Sequence, residues 1–257
     1  MADMTQQEMN MLLRRQDADN AWRKYQVHYE ESKLGPFQIK KFSIPPWDKK
    51  RRQTIQREGV RRDPGSGDFT KLIEIVPGAG EDGGPGQITW MSDTRAEILE
   101  HTPILNKLFF SRGVKHKRLL VNGLGLGLVV HAALIFASDS VEHIDVVEHN
   151  ADVIELVGNQ LTVDPRVTIH LADAYDMIWD PGTRWDFAWH DIWPSIDDEN
   201  LPGMDRLLYK YKTRVAWQGC WQRDGCLAMA KVFRQMKDGT LPAARAWELL
   251  GGKGWLG

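Results

Sequence analysis

From residue 117 onward, short apolar runs alternate with helical spacing. Residues 118–122 form a brief apolar run, and 127–137 follow as an apolar helix. A strand is expected at 141–148, with Ile144, Val146 and Val147 inside it, then a helix at 151–159. Further strands are expected at 166–171, 185–190 and 213–217, and a helical tail from Trp221 runs to the loose Gly251-Gly252-Lys253-Gly254. Strands separated by helices of this length predict an α/β fold with a doubly wound, mostly parallel sheet. The part before it is built differently. Residues 5–34 are polar and helix-favouring, with Met9, Leu12, Leu13 and Trp22 loosely at helical spacing, and Leu34-Gly35-Pro36 stops them. Residues 43–68 read as irregular. The runs 69–76 and 87–91 read as a β-hairpin whose long tip holds Pro77, Pro85 and several glycines. A helix capped by Ser92 or Thr94, with Glu97 three residues after Thr94, then leads past Pro103 through Ile104, Leu105, Leu108 and Phe109. This divides the chain into an N-terminal helical and basic region (1–68), a hairpin and helix entry (69–116) and an α/β domain with its tail (117–257).

Composition changes this picture in few places. The chain has 257 residues, of which 42% are hydrophobic and 26% charged, enough for a sizeable core. A net charge of -2 is not that of a general nucleic-acid binder. Yet Lys49-Lys50-Arg51-Arg52, continued by Arg57, Arg61 and Arg62, sets seven cations against the single acid Glu58 between 49 and 62. That stretch suits either a nucleic-acid phosphate backbone or a solvated linker. The two cysteines, Cys220 and Cys226, are too few for a disulfide framework and lack zinc-site spacing, so free thiols, no metal and a reducing, cytoplasmic setting are expected. No apolar stretch approaches the roughly 20 residues of a membrane span, and MADMTQQEMN lacks the order of a signal peptide. The eleven tryptophans suit core packing, with several free to line a pocket. Whether copies associate is left open.

Four segments meet at the carboxyl edge of the expected sheet, where open parallel sheets bind ligands. The first is Gly123-Leu124-Gly125-Leu126-Gly127 after the first strand. Glycines allow a sharp turn and close approach of a ligand. Leu128 stands where the dinucleotide pattern needs a third glycine or alanine, which argues against a nicotinamide dinucleotide. The second is Glu148, ending the next strand 21 residues after Gly127, placed to accept both hydroxyls of a ribose. The third is Ala172-Asp173-Ala174, a carboxylate with small neighbours that suits an adenine amino group, or a helix N-cap, or both. The fourth is Asp191, ending the strand 185–190 between Trp189 and Trp193, where a carboxylate takes a proton from an amine or orients it. His190 points to the opposite face and is set aside.

On these residues, 87–195 resembles the spermidine-synthase-like branch of the class I S-adenosylmethionine-dependent methyltransferase superfamily. Gln87-Ile88-Thr89-Trp90-Met91-Ser92-Asp93 resembles that branch's hairpin-to-helix entry, and Asp164-Pro165-Arg166-Val167 leading to Asp173-Ala174 is similar to its D-P-R-V…D-A segment. The resemblance implies a Rossmann-like methyltransferase fold with S-adenosyl-L-methionine as cofactor. It implies cofactor contacts at Gly123, Leu124, Gly125, Gly127, Glu148, His149, Asp173 and Ala174, with Asp191 as the catalytic candidate. Trp189 and Trp193 would shape the acceptor pocket. Two departures count against polyamine synthesis. Leu126 stands where spermidine synthases carry an aspartate, and Pro194 stands where they carry a second acid three residues after the catalytic one. Methyl transfer to an unidentified acceptor is therefore the leading expectation. Aminopropyl transfer, and nucleoside binding without turnover in a protein that holds nucleic acid or a partner protein through its N-terminal part and 49–62, are the alternatives.

Overall fold

Apolar runs hidden on both faces give the molecule its centre. The computed structural model describes residues 21–58, 62–80, 84–110, 117–137 and 139–249. Strands β5 (Lys117–Asn122), β6 (Val141–Glu148), β7 (Val167–Leu171), β8 (Trp185–His190) and β9 (Val215–Cys220) form a parallel sheet in the order β7-β6-β5-β8-β9. The chain leaves β5 toward β6 and β7, then returns to the other side for β8 and β9. The switch point therefore lies at the carboxyl ends of β5 and β8. Strands β5 and β8 are buried along almost their whole length, as a sheet covered on both sides requires. The doubly wound α/β fold expected from the sequence is thus present, with the last strand at 215–220 instead of 213–217.

The N-terminal part differs from its expectation. Strands β1 (Ser32–Leu34), β2 (Phe37–Ile44), β3 (Gly67–Val76) and β4 (Gly86–Ser92) make a four-stranded antiparallel meander, not a lone hairpin. Of the expected helix at 5–34, residues 5–20 lie outside the described residues, and the rest is one short turn, Ala21–Tyr25, followed by extended chain. The stretch 43–68 is not irregular throughout. It holds the end of β2 and helix α1 (Lys49–Glu58), whose first turn is capped by Asp48 Oδ1 accepting the Arg51 N–H at 2.7 Å.

Helix α2 (Arg95–Glu100) starts after Thr94, but the Thr94 side chain makes no cap bond. Glu97 reaches back instead, accepting the Ser92 N–H at 2.6 Å and the Ser92 hydroxyl at 2.9 Å. Helices α3 (Thr102–Phe110) and α4 (Leu128–Phe136) follow. Helix α5 runs from Ala151–Val153 through a π turn at Ile154–Gly158 to Asn159–Leu161. Helices α6 (Leu201–Tyr211), α7 (Arg223–Lys237) and α8 (Ala243–Leu249) complete the chain.

One apolar cluster joins the meander to one face of the parallel sheet, through Phe37, Ile39, Phe69 and Leu72 on one side and Leu119, Val121, Leu126 and Val130 on the other. A second cluster, with Leu120, Val147, Ala188, Leu207 and Tyr211, covers the opposite face. Among the described residues no helix is long and apolar enough to cross a membrane. Cys220 and Cys226 are buried free thiols, and burial pushes the Cys220 thiol up to about 12.

Candidate nucleoside site

The strand ends are stitched together before any side chain is considered. The Gly123 N–H donates to Val147 O at 2.8 Å, and the Asp191 N–H to Asn122 O at 2.8 Å. Gly123 has φ 93°, and a Cβ there would lie 1.9 Å from the Asp191 carbonyl oxygen. Only glycine lets the loops after β5 and β8 pass this closely. Gly125 has φ 50° and backs onto Met91, whose Sδ and Cε would each be 2.9 Å from an added Cβ. The Leu126 N–H points at Met91 Sδ, at 3.3 Å.

Glu148 holds this loop by its backbone. Its Oε2 accepts the Leu124 N–H at 2.9 Å, and its Oε1 accepts the Asn150 N–H at 2.8 Å and lies 3.1 Å from His149 Nδ1. Burial works to raise the carboxyl, but the bonds from His149, Leu124 and Asn150 outweigh it and hold it below its ordinary range. Glu148 is thus ionised at neutral pH. Oε2 has one protein donor and keeps an acceptor site for a ligand hydroxyl. His149 is raised in turn by its bond to Glu148.

Asp173 caps the turn after β7, its Oδ1 accepting the Tyr175 N–H at 2.7 Å. From α6, Lys210 Nζ donates to the carbonyls of Ala174 and Tyr175, both at 2.9 Å. Burial holds the Lys210 ammonium below its usual range.

Asp191 is almost fully enclosed. Burial first, and then the charges of Glu97 and Glu100, push its carboxyl well above the ordinary range. Its Oδ2 lies 3.9 Å from Nδ1 of His101, too far for a hydrogen bond. Burial lowers His101 to about 4, so the imidazole is neutral. Glu97 is pushed up to about 7 by burial, against the bonds from Ser92. Glu100 is engaged by Arg62 and by Trp221 Nε1.

Part of this set borders one cavity of about 230 Å³. Gly123, Gly125, Glu148, His149, Asp173, Ala174, Asp191 and Trp193 all line it. Leu124 and Gly127 do not. The Leu124 side chain is buried in the core and contributes its N–H to Glu148, while Gly127 starts α4 against Leu161 and Tyr29. Trp189 does not line this cavity either. It is 2% exposed and sits in the core cluster, edge-on to His101, because strand alternation turns it with Phe187 toward the meander. It borders instead a smaller cavity, together with His101, Leu124, Gly127 and Asp191. Leu126 is also fully buried, so any influence on ligand choice is not by side-chain contact.

His190 faces the other way, as expected. Asn122 Nδ2 contacts its Nδ1 at 2.8 Å and Gln218 Oε1 its Nε2 at 3.1 Å, and burial lowers it to about 4. Sequence reasoning missed Trp90 and Met91 as cavity walls, and Glu97, His101 and Lys210 as neighbours of the key carboxylates and loops. The phrase Gln87–Asp93 pointed at the first two, but only as a sign of kinship.

No family model matches the chain, and no curated protein matches it. Solved structures do. The 23S rRNA methyltransferase ErmE shares 12% identity over 44% of this chain and 42% of its own, with a TM-score of 0.34. The CcbJ methyltransferase from Streptomyces caelestis shares 13% over 43% of each chain, at 0.33. The [4+2]-cyclase SpnF shares 20% over 38% of this chain and 35% of its own, at 0.30. The chain thus spans well under half the length of each. At these scores the likeness carries no weight for what the chain does.

Proposed function

We propose that this protein is a methyltransferase that uses S-adenosyl-L-methionine, with an acceptor that enters beside Asp191. The observation that carries this reading is the convergence of the glycine loop, Asp173, Asp191 and the ionised carboxylate of Glu148 on one cavity. When bound, S-adenosylmethionine supplies an electrophilic methyl group on a sulfonium. The residues present fit its nucleoside half. Gly123 and Gly125 leave backbone where a side chain would stand, Glu148 retains acceptor capacity for ribose hydroxyls, and Asp173 stands between small neighbours for an adenine amino group. Alignment supplies much of the rate in such a transfer. Asp191, protonated or not according to pH, orients the acceptor or takes its proton.

A second reading, aminopropyl transfer, gains from two observations. Glu97 and Glu100 supply acidic surroundings for Asp191 that suit an amine, and the Leu126 side chain does not reach the cavity to disfavour a donor lacking the carboxylate. The likeness of 87–195 to the spermidine-synthase-like branch supports it too. Calorimetric titration with S-adenosylmethionine and with its decarboxylated form separates the two. Tighter binding of S-adenosylmethionine is expected, and the reverse order moves the assignment to aminopropyl transfer. Glu148→Gln should weaken S-adenosylhomocysteine binding about 10-fold or more, from loss of a charge-assisted hydrogen bond worth about 1.5–3 kcal/mol. Unchanged affinity in that variant, or a preference for a nicotinamide dinucleotide, overturns the site.

A further inference from the structure

The basic run lies outside the nucleoside cavity, and the structure gives it an order the sequence did not show. On α1, Lys49, Lys50, Arg52 and Gln53 are exposed, while Arg51, Thr54 and Ile55 are half-buried. Arg51 anchors the helix by donating Nε and Nη2 to the two oxygens of Asp63, at 2.6 and 2.8 Å. Burial raises the Asp63 carboxyl, but Arg51 and the Gly65 N–H outweigh it, so the anchor stays ionised. No carboxylate among the described residues pairs with Lys49, Lys50 or Arg52. Trp47, just before the helix, is 74% exposed.

The position of the helix matters as much as its charge. Beyond Asp63, the Arg95 N–H donates to Pro64 O at 2.9 Å, and Arg62 pairs with Glu100. The segment that anchors α1 is therefore fastened to α2, whose Glu97 and Glu100 act on Asp191. Helix α1 offers a lipid surface no apolar face, because Ile55 is its one apolar residue and is half-buried. Unpaired cations beside an exposed indole match another ligand, a chain of phosphates with accessible base faces.

We propose that α1 and Trp47 form a docking surface for single-stranded nucleic acid, with phosphates against Lys49, Lys50 and Arg52 and a base stacked on Trp47. As a binding surface it stands by itself. As the means by which the acceptor reaches Asp191, it rests on the methyl-transfer reading.

Fluorescence anisotropy of the full chain with a labelled oligouridylate or oligothymidylate of about 12 nucleotides tests it. Three phosphate contacts predict that log affinity falls with log salt at a slope of about -2. Lys49→Ala/Lys50→Ala/Arg52→Ala should weaken binding about 10-fold or more at low salt and flatten that slope. Trp47→Ala should weaken binding and leave the slope in place. Circular dichroism and S-adenosylhomocysteine titration of both variants check that fold and cavity are unchanged. Salt-independent binding, a triple variant that binds like the parent, or stronger binding of polyglutamate or anionic vesicles overturns the proposal. Parent protein that binds the oligonucleotide but not S-adenosylhomocysteine sinks the methyl-transfer reading and leaves the surface standing. The opposite result sinks the surface alone.

Discussion

Gly123 and Gly182 hold nearly the same backbone angle, φ 93° and 92°, in unlike surroundings. Nothing lies within 4 Å of a Cβ built on Gly182, whereas one on Gly123 meets the Asp191 carbonyl at 1.9 Å. The pair separates two costs usually measured together. Gly182→Ala carries the left-handed penalty alone, about 1–2 kcal/mol. Gly123→Ala carries that penalty and a clash with backbone that cannot move without parting β5 from β8, so it should cost at least about 2 kcal/mol more. Urea denaturation of the two variants measures the difference, and equal losses would show that the loops have room to separate. At this scale the sequence was readable where chemistry and backbone coincide. Glycines 123 and 125, Glu148 and Asp173 were found because a turn or a strand end demands them. Trp189 was harder to place, because an aromatic residue beside Asp191 fits a pocket and a core equally well, and the strand's alternation turns it into the core cluster.

Among the elements, α6 does more than cover the sheet. Its Lys210 grips the carbonyls of Ala174 and Tyr175, so the turn bearing Asp173 is held from outside the cavity. Lys210→Met removes both bonds and leaves the carbonyls to find water. It should weaken adenosine and S-adenosylhomocysteine binding together, about 10-fold, at a stability cost of about 1–2 kcal/mol. Lys210→Arg should recover part of the affinity. A drop in stability with no change in either affinity would make Lys210 merely structural. The central parallel strands were legible because burial on both faces leaves apolar runs with no alternation to misread. The meander was less so. In β2, Phe37 and Ile39 lie on one face, and Phe42 and Ile44 fall on the other after Lys40 and Lys41, although all four join the same core cluster. Strict alternation is lost, and the segment reads as loop. Helix α1 was hidden for a different reason. Its face toward the protein is made by Arg51, Thr54 and Ile55 and held by an ion pair with Asp63, so no apolar stripe marks it.

The molecule as a whole places its cavity on a seam. Trp90 and Met91 come from the last strand of the meander, and the glycine loop, Glu148, Asp173 and Asp191 come from the parallel sheet. A buried bond already crosses between the N-terminal part and the rest. The Tyr29 hydroxyl donates to Leu126 O at 3.1 Å, while Asp93, just after β4, accepts the N–H groups of Val27 and Thr70 within the N-terminal part, at 3.2 and 2.6 Å. With one apolar cluster spanning both sheets, unfolding should be a single transition. A ligand in the seam touches both sides and should move that transition intact. At about 100 times its dissociation constant it adds about 2.7 kcal/mol. For a chain of this size, that corresponds to a rise of about 5–10 °C in Tm. S-adenosylhomocysteine in a calorimetric scan measures this. Met91→Ala removes the thioether laid across Gly125 and the Leu126 N–H, so the ligand's increment should shrink while the single transition remains. Two transitions, with only the second shifted by ligand, would mean that the meander is a separate unit and contributes no wall to the site.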